Sequence, residues 1–311
     1  MVFTMNLNTF MTAVCRVASV SVRRLFSAKG FFALLGLSLV LEMSGCSLLP
    51  TGVLNPKGVI AAQEKELLFD SIALMLIVVI PVIIMSFAFA FRYRASRNAT
   101  YTPNWSHSYL IEAVCWGVPL IIIVILGIWT WEKSHSLDPY KEIDVPGKPL
   151  LIEAVALPWK WLFIYPEQNI ATVNYVEMPR NRQVQFYLTN DNVPMSAFFI
   201  PQLGSQIYTM AGMRTRLHLL ANEDGEYEGL NSQFNGDGFS EMHFKADVVE
   251  DAEFNKWVGH VKQVNAQLEI PEYLQLQQPS IAAPVQYFSA VTPNLFERIM
   301  DQYMMPNMQL K

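Results

Sequence analysis

The sequence predicts an α+β membrane protein, with a two-helix transmembrane hairpin, then an exported β-sandwich, then C-terminal helices. Three observations carry that expectation. Two long apolar runs lie in the first half of the chain, short apolar segments punctuated by turn residues follow residue 140, and the three cysteines all lie before residue 140. The 311 residues are 52% hydrophobic, which is high for a purely soluble chain. The net charge of −5, with no long basic run, argues against nucleic-acid binding.

The hairpin comes first. "SIALMLIVVIPVIIMSFAFAF" (71–91) and "AVCWGVPLIIIVILGIWTW" (113–131) carry no charge, and a helix needs about 20 such residues to cross about 30 Å of hydrocarbon. Pro81 and Pro119 are tolerated in such helices. Between the runs, Arg92, Arg94 and Arg97 occur without an acidic residue, so the positive-inside rule places this loop in the cytoplasm and both termini outside. Tyr93, Trp105 and Tyr109 then fall near the inner interface, with Trp129 and Trp131 near the outer one.

Upstream, Arg16, Arg23, Arg24 and Lys29 precede "GFFALLGLSLVL", a run too short to span and suited to a signal sequence. "MSGC" follows and resembles the lipobox of bacterial lipoproteins, in which the cysteine, here Cys46, is acylated and becomes the mature N-terminus. Glu42 and Met43 depart from that pattern, and the long basic region leaves Met5 or Met11 as alternative starts. Beyond residue 140 there is no cysteine, so the exported region can form neither a disulfide nor a thiolate-ligated copper, zinc or iron–sulfur centre.

The segments 150–157, 159–165, 183–189, 214–220 and 242–249 read as strands separated by Pro, Gly, Asn and Asp clusters, the pattern of an antiparallel sandwich or barrel. A helix is expected over about 251–264, with Phe254, Trp257, Val258 and Val261 on one face. Another is expected from Pro293 to about Met304, with Thr292 as its N-cap.

Four blocks carry a family resemblance: "YRASRNATYTPNWSHSYLIEAVCW", "WKWLFIYPEQNIATVN", "FFIPQLGSQIYTMAGMRTRLHL" and "YFSAVTPNLFERIM". They resemble subunit 2 of the cytochrome o (bo-type) ubiquinol oxidases, within the haem–copper oxidases, from Cys46 to about Met300. The resemblance implies a cupredoxin-like outer domain on the periplasmic side of the bacterial inner membrane. It also implies a hetero-oligomer with subunit 1 and smaller membrane subunits. Subunit 1 holds the haems and copper, reduces dioxygen to water and pumps protons. The corresponding segments are a signal peptide (1–45), the hairpin (46–140, helices about 69–91 and 110–131), the cupredoxin-like domain (141–250) and a helical arm (251–311).

The loop "GLNSQFNGDGFSEM" (229–242) bears most on function. In the related cytochrome c oxidase subunit 2, the matching loop binds two coppers through C-x-E-x-C-x-x-x-H-x-x-M, with an upstream histidine five residues before a proline. With that methionine at Met242, the two cysteines fall on Asn231 and Asn235, the glutamate on Gln233 and the histidine on Phe239. The upstream histidine falls on Ser196, counted back from Pro201. Thiolates and imidazoles hold copper in both oxidation states, and neutral amides replace them poorly. The resemblance therefore implies a chain that binds no metal or cofactor itself, takes no electrons from cytochrome c and belongs to a complex fed by ubiquinol.

Other residues have readings of their own. Trp159, Trp161, Phe163 and Tyr165 alternate at strand spacing, so packing is expected of all four on one face. His218 and His243 lie on different strands and read as structural. Glu112, at the cytoplasmic edge of the second run, is a carboxylate at a costly depth. The resemblance places it near the entrance of a subunit 1 proton channel. Two alternatives stay open: a copper-bearing cytochrome c oxidase subunit 2, which the absent Cys and His ligands argue against, and a membrane-hairpin lipoprotein acting as a binding or chaperone module.

Overall fold

The computed structural model describes residues 52–97, 100 and 104–304, so the signal sequence and Cys46 lie outside the described residues. Two long helices come first, α1 (Val59–Arg92) and α2 (Tyr109–Ser136). Both exceed the expected 69–91 and 110–131, because each continues past its apolar run into a polar outer end. Along the apolar runs the side chains are exposed, among them Ile84 at 60% and Leu120 at 62%. Each helix is long and apolar enough to cross a membrane.

The outer ends of both helices are tied to the β-rich region. A helix N-terminus leaves backbone N–H groups without partners inside the helix. Here Val59 N–H donates to Leu220 O (3.3 Å) and Ala61 N–H to Leu203 O (3.3 Å). Just before α1, Lys57 and Gly58 N–H both donate to Gln202 O, and a Cβ on Gly58 would lie 2.5 Å from Leu203 O. Past α2, His218 N–H donates to Pro139 O (3.2 Å). The arginine loop therefore lies at the far ends of the helices from the sandwich.

Eleven strands follow among the described residues: β1 (Leu150–Leu157), β2 (Lys160–Tyr165), β3 (Ile170–Val173), β4 (Tyr175–Pro179), β5 (Val184–Asn190), β6 (Ser196–Phe199), β7 (Ile207–Thr209), β8 (Thr215–Leu219), β9 (Gly225–Asn231), β10 (His243–Val249) and β11 (Gln286–Phe288). One sheet has the order β11-β3-β2-β1-β5-β8 and the other β4-β10-β9-β6-β7. The two sheets pack on one shared core as the expected β-sandwich. The strand pairing departs from expectation, since β1–β5 and β4–β10 are parallel and both sheets are mixed. Asn174, at φ 55°, turns the chain out of β3 into β4 of the other sheet, which separates what would otherwise be hairpin neighbours.

The first sheet is buried on both faces, which explains why β1 and β2 read as near-continuous apolar runs. Successive side chains alternate, so Ile152, Ala154, Trp161, Phe163 and Tyr165 enter the core between the sheets. Val155, Leu157, Leu162 and Ile164 point the other way, against Tyr273, Leu276, Phe288, Phe296 and Ile299 of the C-terminal arm. Each such burial contributes about 1.5–3 kcal/mol. The arm consists of α3 (Asp251–Val261), α4 (Ile270–Leu276), β11 and α5 (Leu295–Met304).

Here the helix expectations need correction. α3 stops at Val261 and not at 264, and α5 starts at Leu295 and not at Pro293. Thr292 is no N-cap: its hydroxyl donates to Leu268 O (3.2 Å), and Asn294 at φ 57° interrupts helical geometry before Leu295.

A single buried carboxylate fastens the arm. Asp191, 1% exposed, accepts from Gln277 Nε2 (2.5 Å) and Tyr273 Oη at one oxygen. Its other oxygen accepts from Tyr303 Oη (2.6 Å) and Gln302 Nε2 (2.8 Å). Burial, and then the bond to Asp191, push the Tyr303 phenol up to about 12.

Candidate functional site

The loop between β9 and β10 folds back on β6. Phe198 of β6 pairs with Asn231 at the end of β9, which brings Ser196 alongside the loop. A short 3₁₀ turn, Phe239–Glu241, leads into Met242, and Asn231 N–H donates to Met242 O (3.1 Å). Ser196, Asn231, Asn235 and Met242 are all buried, at 0%, 2%, 6% and 1% exposure.

These side chains close on one another. Asn231 Oδ1 accepts from Ala197 N–H (2.8 Å) and Gln233 N–H (3.2 Å), while its Nδ2 donates to Gln233 O (2.8 Å). Asn235 Nδ2 donates to Ser196 Oγ (3.1 Å) and lies 3.3 Å from Met242 Sδ. Thus five of the six positions singled out in the sequence meet in one hydrogen-bonded cluster, with Gln233 taking part through its backbone. Phe239 contributes no side chain to it. Its ring is half-exposed and packs 5.6 Å from that of Phe234.

The residues do not fit copper. The inward-facing groups are amides, a hydroxyl and a thioether, and the Asn235 N–H₂ that reaches toward Ser196 and Met242 presents hydrogens where a cation needs lone pairs. The Gln233 carbonyl is bound by an amide. Within this cluster Asn235 Oδ1 is buried without a protein partner, and one hard oxygen cannot substitute for bridging thiolates.

Trp159 does something the alternation did not foresee. It sits at φ 60° in the turn between β1 and β2, off the face shared by Trp161, Phe163 and Tyr165. Its indole covers the loop instead: a Cβ on Gly238 would lie 2.4 Å from Trp159 Cγ, and Gly236, at φ +119°, lies under the same ring. The Pro158–Trp159 pair within "LPWKW" was the available signal for that turn.

His218 and His243 do not meet, because they lie in different sheets. His218 is buried and bonds Gln183, and its imidazole is pushed below the usual range by burial. His243 pairs with Glu228 (3.0 Å) and the Ser240 carbonyl (2.7 Å) at the surface. Glu112 is exposed in the first turn of α2.

The geometry predicts which substitutions would build a copper site. Ser196→His, Asn231→Cys, Gln233→Glu, Asn235→Cys and Phe239→His, with Met242 kept, should yield two bound coppers and intense thiolate-to-copper absorption. The backbone must hold the ligands to within about 0.5 Å. A folded variant without a copper pair, or equal binding when both cysteines are moved one residue along, would contradict the register.

Comparison with known proteins gives the family. Residues 262–307 match the family model described as "COX Aromatic Rich Motif". The chain is 51% identical over 279 residues to cytochrome bo(3) ubiquinol oxidase subunit 2 of Pseudomonas aeruginosa, covering 89% of this chain and 83% of that one. It is 49% identical to ubiquinol oxidase subunit 2 of Acetobacter aceti, covering 86% and 87% of the two chains. Quinol oxidase subunit 2 of Bacillus spizizenii is 35% identical, with coverage of 78% and 76%. Identity of this extent over most of both chains means that the protein belongs to the ubiquinol oxidase subunit 2 family.

Proposed function

We propose that this chain is the copper-free subunit 2 of a proton-pumping terminal ubiquinol oxidase in a bacterial inner membrane, where it supports assembly and architecture around the haem-bearing subunit 1. The observation that carries this reading is the amide-closed loop at Asn231 and Asn235, which offers an external electron carrier no redox group. Electrons must then reach the partner from a donor dissolved in the membrane, and the relatives' names specify a quinol.

The haems and copper of the partner would supply the oxygen chemistry. This chain's residues position and anchor. The apolar flanks of α1 and α2 supply surface for lipid and partner helices, and Arg92, Arg94 and Arg97 fix the cytoplasmic side. Acylation at Cys46 adds a lipid anchor, which retains little by itself beside two spanning helices. Glu112, in the first turn of α2 at that cytoplasmic side, serves the entrance of the partner's proton channel.

Purification through a tag on this chain should bring down a haem-bearing subunit with ubiquinol-dependent oxygen uptake, and mass spectrometry should find the chain beginning at acylated Cys46. A haem-free preparation would favour the membrane-hairpin lipoprotein, and an N-terminus upstream of residue 30 would rule out the lipid anchor. In the same complex, Glu112→Ala should slow turnover with haem content unchanged. Unaltered turnover would leave Glu112 as a solvated interfacial residue.

A further inference from the structure

On the outer face of the second sheet, β4 and β10 run parallel with Glu177 directly opposite Asp247. Like charges in register repel, so the pair needs an explanation. Tyr175 lies two residues before Glu177 on the same strand face, and its Oη sits 2.8 Å from Glu177 Oε2 and 2.9 Å from Asp247 Oδ2. A phenol carries one hydrogen, so it can donate to only one of the two oxygens. The second contact is a hydrogen bond only if the carboxyl brings its own proton. The balanced arrangement has Glu177 protonated, donating to Tyr175 Oη, while Tyr175 O–H donates to the Asp247 carboxylate. Glu177 is the more buried of the two, at 5% exposure, and is the natural holder of the proton.

We propose that Glu177, Tyr175 and Asp247 form a one-proton latch that tightens the β4–β10 edge of the outer domain in acid and loosens it as the surroundings approach neutrality. Lys245 of β10 lies opposite Tyr175 and acts on Asp247 through space, but its hydrogen-bonded partner is a different carboxylate, Glu226 of β9 at 2.7 Å. Glu253 of α3 adds negative charge, and Tyr287 of β11 and Tyr165 of β2 are phenols held above their usual range by burial. Tyr165 engages only the backbone of Glu177. Tyr175 also packs on Trp257 at 6.0 Å, so the latch joins two strands to α3.

Burial, partly offset by the neighbouring Tyr175 phenol and reinforced by Asp247 and Glu253, holds the Glu177 carboxyl up at about 7. An open β4–β10 edge would return it to about 4.3. The raised folded value means that the latch's stabilisation is complete below about pH 4.3, is lost progressively up to about 7, and changes no further above that. A second carboxyl, Glu153 on β1, is also raised to about 7, first by burial and then by Glu297, but it belongs to the other sheet.

Hydrogen exchange of the purified complex, corrected for intrinsic exchange rates, tests the latch locally. Protection of peptides spanning 175–179 and 243–249 should fall up to tenfold per pH unit between about pH 4.5 and 7, then level off. The β6–β9 peptides should not follow. Glu177→Gln, whose amide donates to Tyr175 Oη at every pH, should abolish the slope and exceed the native protein's protection at pH 8. An unchanged slope in Glu177→Gln, or no slope in the native protein, would overturn the proposal. If Glu177→Gln fails to assemble, the protonated-carboxyl infrared band decides. It should be present in the native complex at pH 5, shrink by pH 8, and shift in Asp247→Asn; a band indifferent to Asp247→Asn would also overturn it. None of these outcomes depends on the identity of the electron donor.

Discussion

The buried carboxylate of Asp191 is the constraint on which the outer domain's second layer depends. Four side-chain donors from α4, from Gln277 just after it and from α5 converge on it, and each hydrogen bond to a charged group contributes about 1.5–3 kcal/mol. Those bonds offset the cost of placing a charge out of water. They also hold the arm over Val155, Leu157, Leu162 and Ile164, which would otherwise leave one face of the six-stranded sheet bare. Lys160 reinforces the arrangement from the sheet side by donating to the carbonyls of Leu276 (3.0 Å) and Gln278 (2.8 Å) just where α4 ends.

The same demand for satisfied polar groups decides the fate of the β9–β10 loop. A buried loop of this shape with unpaired polar groups would lose about 1–3 kcal/mol for each. Asn231 bonds to the backbone of β6 and of Gln233, and Asn235 Nδ2 bonds to Ser196, which leaves Asn235 Oδ1 as the unpaired atom of the cluster. Trp159 lies over Gly236 and Gly238: a Cβ at Gly238 would collide with the ring, and Gly236 is required by its φ of +119°. The loop's shape is thus kept by amides and one indole. In the proposed complex, that leaves this chain to architecture and leaves electron entry to a membrane-dissolved donor.

Much of this was legible in the residues because it rests on local chemistry. Uncharged runs of helical length marked α1 and α2, and the absence of cysteine beyond residue 140 excluded thiolate ligands before any contact was known. β1 was bounded correctly from its apolar run alone. What escaped depends on contacts distant in sequence. Nothing local shows that β1 pairs with β5 in parallel, because side-chain alternation is the same in either direction. Asp191 reads as a turn residue in "TNDNVP", and only the fold brings residues 273, 277, 302 and 303 to it. Trp159 fitted a strand by spacing and left it because a turn intervened. The two-residue error at α5 came from a plausible cap whose hydroxyl had a better partner in Leu268.

The most direct test of the central claim is the choice of electron donor by the purified complex, measured alongside its copper content. Rapid oxygen consumption with ubiquinol, negligible oxidation of reduced soluble cytochrome c, and no copper assignable to the outer domain of this chain are the predicted results. Robust cytochrome c oxidation, or two coppers bound in that domain, would contradict the account.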